Sequence, residues 1–264
     1  MKNKLLREAN AVITLAMRDM LLCCKSPEKL VMALVMPVMF LGMFGGQLSQ
    51  NIGINMDFDF NTFMLIGMMV QGLFMMMGNG IVSLVEDRRT DFTQEILVSP
   101  VSRYSIILGK IIGAFFVSYI QFFATIAIGY CIGARLTLSQ FLLIFAFSPF
   151  ICLAAGSFGV VCIGLIKKPS TAAMVIMMSS MAQTFLSGAL IPVSHSTGIM
   201  AVLTRLLPMT YCVDFMRAMV YRGQSEYAGI TLFPPAVDVT VIIAFTVLFL
   251  TAGTAGFVRA EKNR

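Results

Sequence analysis

Apolar residues along this chain gather into long runs, and polar residues are confined to the short stretches between them. Six such runs stand out, over 30–46, 62–85, 105–133, 138–166, 171–193 and 237–258. An α-helix needs about 20 apolar residues to cross the hydrocarbon core of a bilayer, and inside it a helix satisfies its own backbone groups. The pattern therefore predicts an all-α integral membrane protein with six transmembrane helices. The long third and fourth runs include interfacial turns.

A different periodicity precedes the first run. Wound at 100° per residue, Lys4, Arg7, Glu8, Arg18 and Asp19 fall within an arc of roughly 120°. Leu5, Leu6, Ala9, Val12, Ile13, Ala16, Met17 and Met20 take the opposite face. Within residues 1–29 this predicts an amphipathic helix lying along the membrane interface, the alternative being an ordinary helix packed on other protein. The same stretch lacks the uninterrupted apolar core of a cleavable signal peptide.

Orientation follows from the basic residues. Lys2, Lys4, Arg7, Arg18, Lys25, Lys29, Arg88, Arg89, Arg103, Lys110, Lys167, Lys168, Arg259, Lys262 and Arg264 flank the runs on one side, against Arg135, Arg205, Arg217 and Arg222 on the other. Positive flanks face the cytoplasm, so both termini are expected there. Residues 198–222 compete for a seventh span, but Arg205, Asp214 and Arg217 would each cost about 2.5–3.5 kcal/mol at a helix centre. An odd count would also place the cationic C-terminus outside. Pro208 instead predicts two short helices dipping in from the outer face, within a re-entrant extracellular segment 194–236.

Composition narrows the classes of function. With 58% hydrophobic and 12% charged residues in a chain of 264, six spans leave room for one membrane domain, 1–264, and little else. The net charge of +6 sits at span ends, which points to topology and anionic lipid rather than nucleic acid. The six cysteines include no CxxC pair and His195 is the single histidine, so no metal site or disulfide framework is expected. No nucleotide-binding GxxxxGK[ST] loop is present, since Gly109-Lys110 is followed by Ile111. HExxH and GxSxG are absent as well, and an enzyme is not expected.

The spans carry no ionisable residue near their centres, where ion-coupled carriers often keep one, so energy is expected from outside this chain. Their interior offers Gln71, Asn79, Gln121, Gln183 and Thr184. These are interhelical hydrogen-bond partners or, together with Met75, a substrate path. Met64, Met68, Met69, Met75, Met76 and Met77 crowd the second run, as a pliable surface for a lipophile or as core filling. The pairs Gly42/Gly46, Gly109/Gly113 and Gly129/Gly133 permit close helix approach.

The loop 86–104 is the sharpest feature. Phe92 and Ile96 stand four apart with Leu97 beside them, flanked by Gln94 and Glu95, and Ser99-Pro100 should end the short helix they form. Such a helix with an aromatic anchor is a docking peg for another protein, or an interfacial cap on the spans. Glu86 and Asp87, where the second run reaches this loop, are either switch residues or solvated helix-end charges.

At this loop the chain resembles the type-2 permeases of ATP-binding-cassette exporters, on Glu86, Phe92 to Leu97, Ser99-Pro100-Val101-Ser102-Arg103 and Gly109-Lys110 in that order. Leu186-Ser187-Gly188-Ala189-Leu190-Ile191-Pro192-Val193, followed by Leu207-Pro208-Met209-Thr210-Tyr211-Cys212-Val213-Asp214-Phe215-Met216-Arg217, extends the resemblance. Asp91 stands where many members have glycine, and Met209 follows Pro208 where Asn-Pro-Leu is common. The resemblance implies a multi-pass plasma (inner) membrane protein that pairs with a second permease copy and binds two copies of a cytoplasmic ATPase subunit. ATP and Mg would lie on that partner, with no cofactor on this chain. Phe92, Gln94, Glu95, Ile96 and Leu97 would carry ATPase closure into the spans, with Glu86 and Asp87 as gating residues, and the N-terminal helix would embrace the same partner. An apolar, Met-rich interior favours efflux of a lipophilic or amphipathic small molecule. Export of polysaccharide or lipid-linked glycan is the alternative within the family, and a non-transport assembly or immunity factor is a third reading.

Overall fold

The structure is a computed structural model that describes residues 2–26, 31, 35, 38–45, 58–87, 102–164, 166, 168–193, 197–224 and 226–262. Helices account for almost all regular structure, and no strand occurs among the described residues. In chain order they are α1 (Lys2–Cys24), α2 (Phe60–Asp87), α3 (Arg103–Ile132), α4 (Leu138–Ile163), α5 (Pro169–Leu186), α6 (Gly198–Leu206), α7 (Pro208–Val220) and α8 (Pro235–Lys262). A π-helical stretch, Val38–Gly45, precedes α2, and one short helical turn, Tyr227–Ile230, precedes α8.

Local chemistry marks the ends. Gly133 closes α3 in the left-handed region, at φ 96°, which glycine adopts without the penalty of a Cβ. Thr137 opens α4 with a capping box: its backbone N–H donates to Gln140 Oε1 at 2.9 Å, and its hydroxyl accepts from the Gln140 N–H. Proline begins α5, α7 and α8, where its missing N–H would have no helical partner.

Among the described residues, four helical stretches are long and apolar enough to cross a membrane: Phe60–Glu86, Ser105–Ile132, Leu138–Ile163 and Tyr227–Gly256. They correspond to the second, third, fourth and sixth expected runs. Of the first run, 30–46, residues 31, 35 and 38–45 are described, the last of these as the π-helical stretch. The fifth, expected over 171–193, is an 18-residue helix of about 27 Å that stops at Leu186, because the chain turns through Ser187 and the positive-φ Gly188. The two short helices expected around Pro208 are present as α6 and α7. They bend by 84° at Leu207, whose extended backbone suits a residue before proline.

Helix α2 is the axis of the bundle. Of its most apolar window 83% is buried, against 22% for the last stretch, so α2 is enclosed by protein while α8 turns apolar surface outward. It packs against α3, α4, α5 and α7, and α8 lies against α4 and α7. Small residues set these distances. A Cβ at Gly80 would stand 2.3 Å from the Ala114 Cβ of α3, and one at Gly78 would stand 2.5 Å from Ile176 Cγ2 of α5. Met64, Met68, Met69 and Met77 are fully enclosed in the core. These methionines fill space between helices rather than line a path, because α2 has no free face along that part of its length.

The polar arc of α1 departs from the simple interfacial picture. Val12, Leu15, Ala16 and Asp19 meet α3, while Leu6, Ile13, Met17, Leu21 and Leu22 are exposed. One edge of the polar arc is thus turned into the bundle, since α3 carries a cation there that needs a partner.

Candidate functional site

Gly109 and Gly113, one turn apart on α3, seat α1 against the bundle. A Cβ at Gly109 would lie 3.1 Å from the Leu15 Cβ and 3.2 Å from the Val12 carbonyl oxygen; one at Gly113 would lie 3.0 Å from the Asp19 Cβ. That approach brings Asp19 to Lys110, whose Nζ donates to Asp19 Oδ1 at 3.0 Å and stands 2.9 Å from Oδ2. Nζ also donates to Ser83 Oγ of α2 at 3.0 Å, and Ser83 donates onward to the Gly80 carbonyl at 2.7 Å. Lys110 therefore joins three helices. Its side chain is 1% exposed and that of Asp19 13%, so the pair is shielded from solvent and is held by charge-assisted hydrogen bonds.

Lys110, counted in the sequence among the basic residues near the span ends, is not a surface charge. It lies inside α3 and is enclosed, because the small residues beside it let α1 and α2 close over it. A second tie holds the first half of α1: the Glu8 carboxylate accepts the Ser102 N–H at 2.9 and 3.1 Å. Ser102 immediately precedes α3, and Ser83 lies in the last turns of α2. Helix α1 is thus bonded at both feet of the 88–101 connection.

Between α1, α2, α3 and α5 opens a cleft of about 350 Å³, lined among others by Arg18, Asp19, Met76, Asn79, Ser83, Glu86, Lys110 and Ala173. Met76, Asn79, Ser83 and Glu86 recur at helical spacing and present one face of α2 to it. The structure therefore brings together Asn79, from the expected path, and Glu86, from the expected switch. Asp87 ends α2, with a side chain outside the described residues. Phe92, Gln94, Glu95, Ile96 and Leu97 also lie outside them, as does His195.

The remaining path residues do not join this cleft. Gln71 is buried and its Nε2 donates to the Met75 sulfur at 3.8 Å, with Met75 half-buried. Gln183 Oε1 accepts the Met209 N–H at 3.4 Å, and the Thr184 hydroxyl donates to the Ser180 carbonyl at 2.8 Å. These contacts tie α5 to α7 and to itself. They are the interhelical and intrahelical bonds of a packed interior.

At the opposite end of α2 a second group of charges is enclosed. Arg217 of α7 is 4% exposed; its guanidinium donates to the carbonyls of Gly188 at 2.9 Å, Ala189 at 3.0 Å and Phe63 at 3.2 Å. It also stacks 3.4 Å from the centroid of the Phe63 ring. Asp214, one turn earlier, accepts the N–H groups of Leu232 at 2.8 and 3.0 Å and of Phe233 at 2.8 Å. Asp238, in the first turn of α8, is fully buried, and neither of its oxygens meets a hydrogen-bond donor among the described residues. The space beside Asp214 and Arg217 is only about 10 Å³, no more than one water.

Sequence reasoning missed the Lys110, Asp19 and Ser83 junction and the use of Arg217 as a backbone clasp. For the first, the available signal was Lys110 standing between Gly109 and Gly113 within an apolar run. The second had no signal in spacing, because its acceptors are main-chain carbonyls far apart in sequence.

Two comparisons with known proteins bear on this arrangement. The family described as ABC-2 type transporter matches residues 10–221, from α1 to the end of α7. A curated relative named "Putative transport permease ycf38", from Cyanophora paradoxa, is 25% identical over 217 residues, which cover 79% of this chain and 73% of that protein.

Proposed function

Since the chain belongs to the ABC-2 type transporter family, a family of membrane transport components, we propose that it is the permease of an ATP-driven exporter that moves a lipophilic or amphipathic small molecule outward. In this reading it spans the plasma (inner) membrane six times with both termini in the cytoplasm. Two copies pair, two cytoplasmic ATPase subunits bind them, and the ATPases hold ATP and Mg. Segment 194–236 dips in from the outer face as a lid.

The observation that carries the reading is the attachment of α1 to both feet of the 88–101 connection. Glu8 holds the start of α3, and Asp19 holds Lys110, which holds Ser83 near the end of α2. A force applied at that connection passes into α2, the most enclosed helix of the bundle, and into α3. In the proposal Phe92, Gln94, Glu95, Ile96 and Leu97 receive the force from the ATPase. ATP drives transport only if ATPase closure and outward opening favour each other, since coupling is reciprocal between the two sites.

Affinity purification of the tagged chain from native membranes, with an ATPase assay, tests the assembly. A stoichiometric nucleotide-binding subunit is expected, and recovery of the chain alone would overturn the reading. Phe92→Asp should abolish cargo-stimulated ATP hydrolysis while membrane insertion is retained; normal transport by that variant would remove the docking assignment.

A further inference from the structure

A second cavity, of about 370 Å³, opens where the start of α4 meets the end of α7, at the end of the bundle away from the 88–101 connection. Its volume lies within the roughly 300–1,000 Å³ of small-molecule sites. The two sides are tied to each other directly. Gln140 Nε2 donates to the Val220 carbonyl at 3.3 Å, and Gln140 Oε1 accepts from the Thr137 N–H at 2.9 Å and hydroxyl at 3.0 Å. These groups hold the wall in place, and their hydrogen bonds are committed to it.

Arg222 and Gln224, which also line the cavity, are exposed, and neither side chain has a hydrogen bond, ion pair or ring contact among the described residues. No carboxylate lines the cavity, and Glu226, four residues after Arg222, is not part of its wall. The wall therefore carries one formal charge, and that charge is positive. A planar guanidinium suits the paired oxygens of a phosphate, and the Gln224 amide and Ser139 hydroxyl add uncharged donors. The ammonium of a zwitterion would find no opposite charge here, so the wall selects a net anion.

The level of the cavity in the bundle points to lipid as the source of that anion. The apolar stretch of α4 begins at Leu138, and Leu138, Leu142 and Phe145 are exposed. At spacings of four and three they form one strip running from the cavity along the helix. A cationic polar cavity at a span end, with an apolar strip below it, matches a charged head and its chain.

We propose that this cavity holds the phosphodiester head of an anionic phospholipid, with its phosphate on Arg222 and Gln224 and its acyl chain along Leu138, Leu142 and Phe145. Binding there needs neither cargo nor ATPase, so it stands apart from the function proposed above.

The test places the full chain in phosphatidylcholine nanodiscs with a small, equal fraction of one of two probes, phosphatidylglycerol or phosphatidylcholine carrying a diazirine in the acyl chain. The phosphatidylglycerol probe should give roughly tenfold more adduct within residues 138–145, the scale of one charged hydrogen bond. Arg222→Gln, at an exposed position, is expected to abolish that difference at an unchanged melting temperature. Gln224→Glu, which sets a carboxylate beside the arginine, should also remove the preference. Equal labelling by the two probes in the parent, or a preference that survives Arg222→Gln, would overturn the inference. Inorganic phosphate separates lipid from soluble anion. Labelling that persists in its excess but falls with unlabelled phosphatidylglycerol supports the lipid. Labelling abolished by inorganic phosphate would overturn the lipid and give the cavity a soluble phosphate instead.

Discussion

At the α7 end of the bundle, Arg217 and Asp214 are bonded to backbone: three carbonyls from the 188–189 turn and α2 for the arginine, and the amides of Leu232 and Phe233 for the aspartate. At the α1 end, Lys110 is satisfied by the side chains of Asp19 and Ser83. The difference separates a fixed junction from a movable one. Main-chain acceptors held in a turn cannot leave without unfolding it, and the 10 Å³ beside them leaves no room for rearrangement. A carboxylate on a separate helix can withdraw as that helix moves, with a 350 Å³ cleft beside it. The α1 end is therefore where a conformational change can start, and the α7 end is the frame against which it acts.

The widest gap between the two ends should appear when the backbone clasp is removed. Arg217→Met strands the turn carbonyls of Gly188 and Ala189 at about 1–3 kcal/mol each and removes a second donor from that of Phe63. Loss of a cooperative melt in detergent, or failure to accumulate in the membrane, is expected. A variant melting within a few degrees of the parent would show that this end is not the rigid one.

A smaller effect is expected at the movable end. Asp19→Ala removes the carboxylate that the enclosed Lys110 pairs with, at up to about 3–5 kcal/mol. Asp19→Leu with Lys110→Met should recover most of that stability, since apolar replacement of a buried pair is often neutral. The melting temperatures of the two singles and the double form a cycle that measures the coupling. A double variant no better than the sum of its singles would show that the two side chains do not hold α1 together.

Gly113→Leu sharpens the comparison without touching a charge. Its side chain enters the 3.0 Å gap to Asp19, so α1 should shift away at a cost of about 1–3 kcal/mol. Faster amide hydrogen exchange is expected in α1 and unchanged exchange in α7. The smallest effect belongs to Glu8→Gln, which keeps an acceptor for the Ser102 N–H and loses only the charge, about 0.5–1.5 kcal/mol. Modestly faster exchange at the start of α3 would be its signature.

Much of the fold was legible because a bilayer imposes a simple constraint. Runs of apolar residues long enough to cross it appear as α2, α3, α4 and the stretch ending in α8, and Pro208 divides α6 from α7 as its chemistry requires. The end of α5 was less legible, since Ser187 and Gly188 form a turn inside what reads as a continued apolar run. Of the site, Asn79 and Glu86 were recognised singly, but nothing in their spacing shows that α1 would complete a cleft around them.

The sequence by itself determined the membrane-spanning class of the chain and its membership of a transport family, because hydrophobic period, helix breakers and the motif around Ser99-Pro100 are local properties. Only the tertiary structure decided which charges are enclosed and by what. Lys110 reads as one more basic flank until Gly109 and Gly113 let α1 close over it, and Arg217 reads as a barrier to burial until three carbonyls receive it. The reason is that desolvation depends on what surrounds a group in space, and those surroundings come from helices distant in sequence.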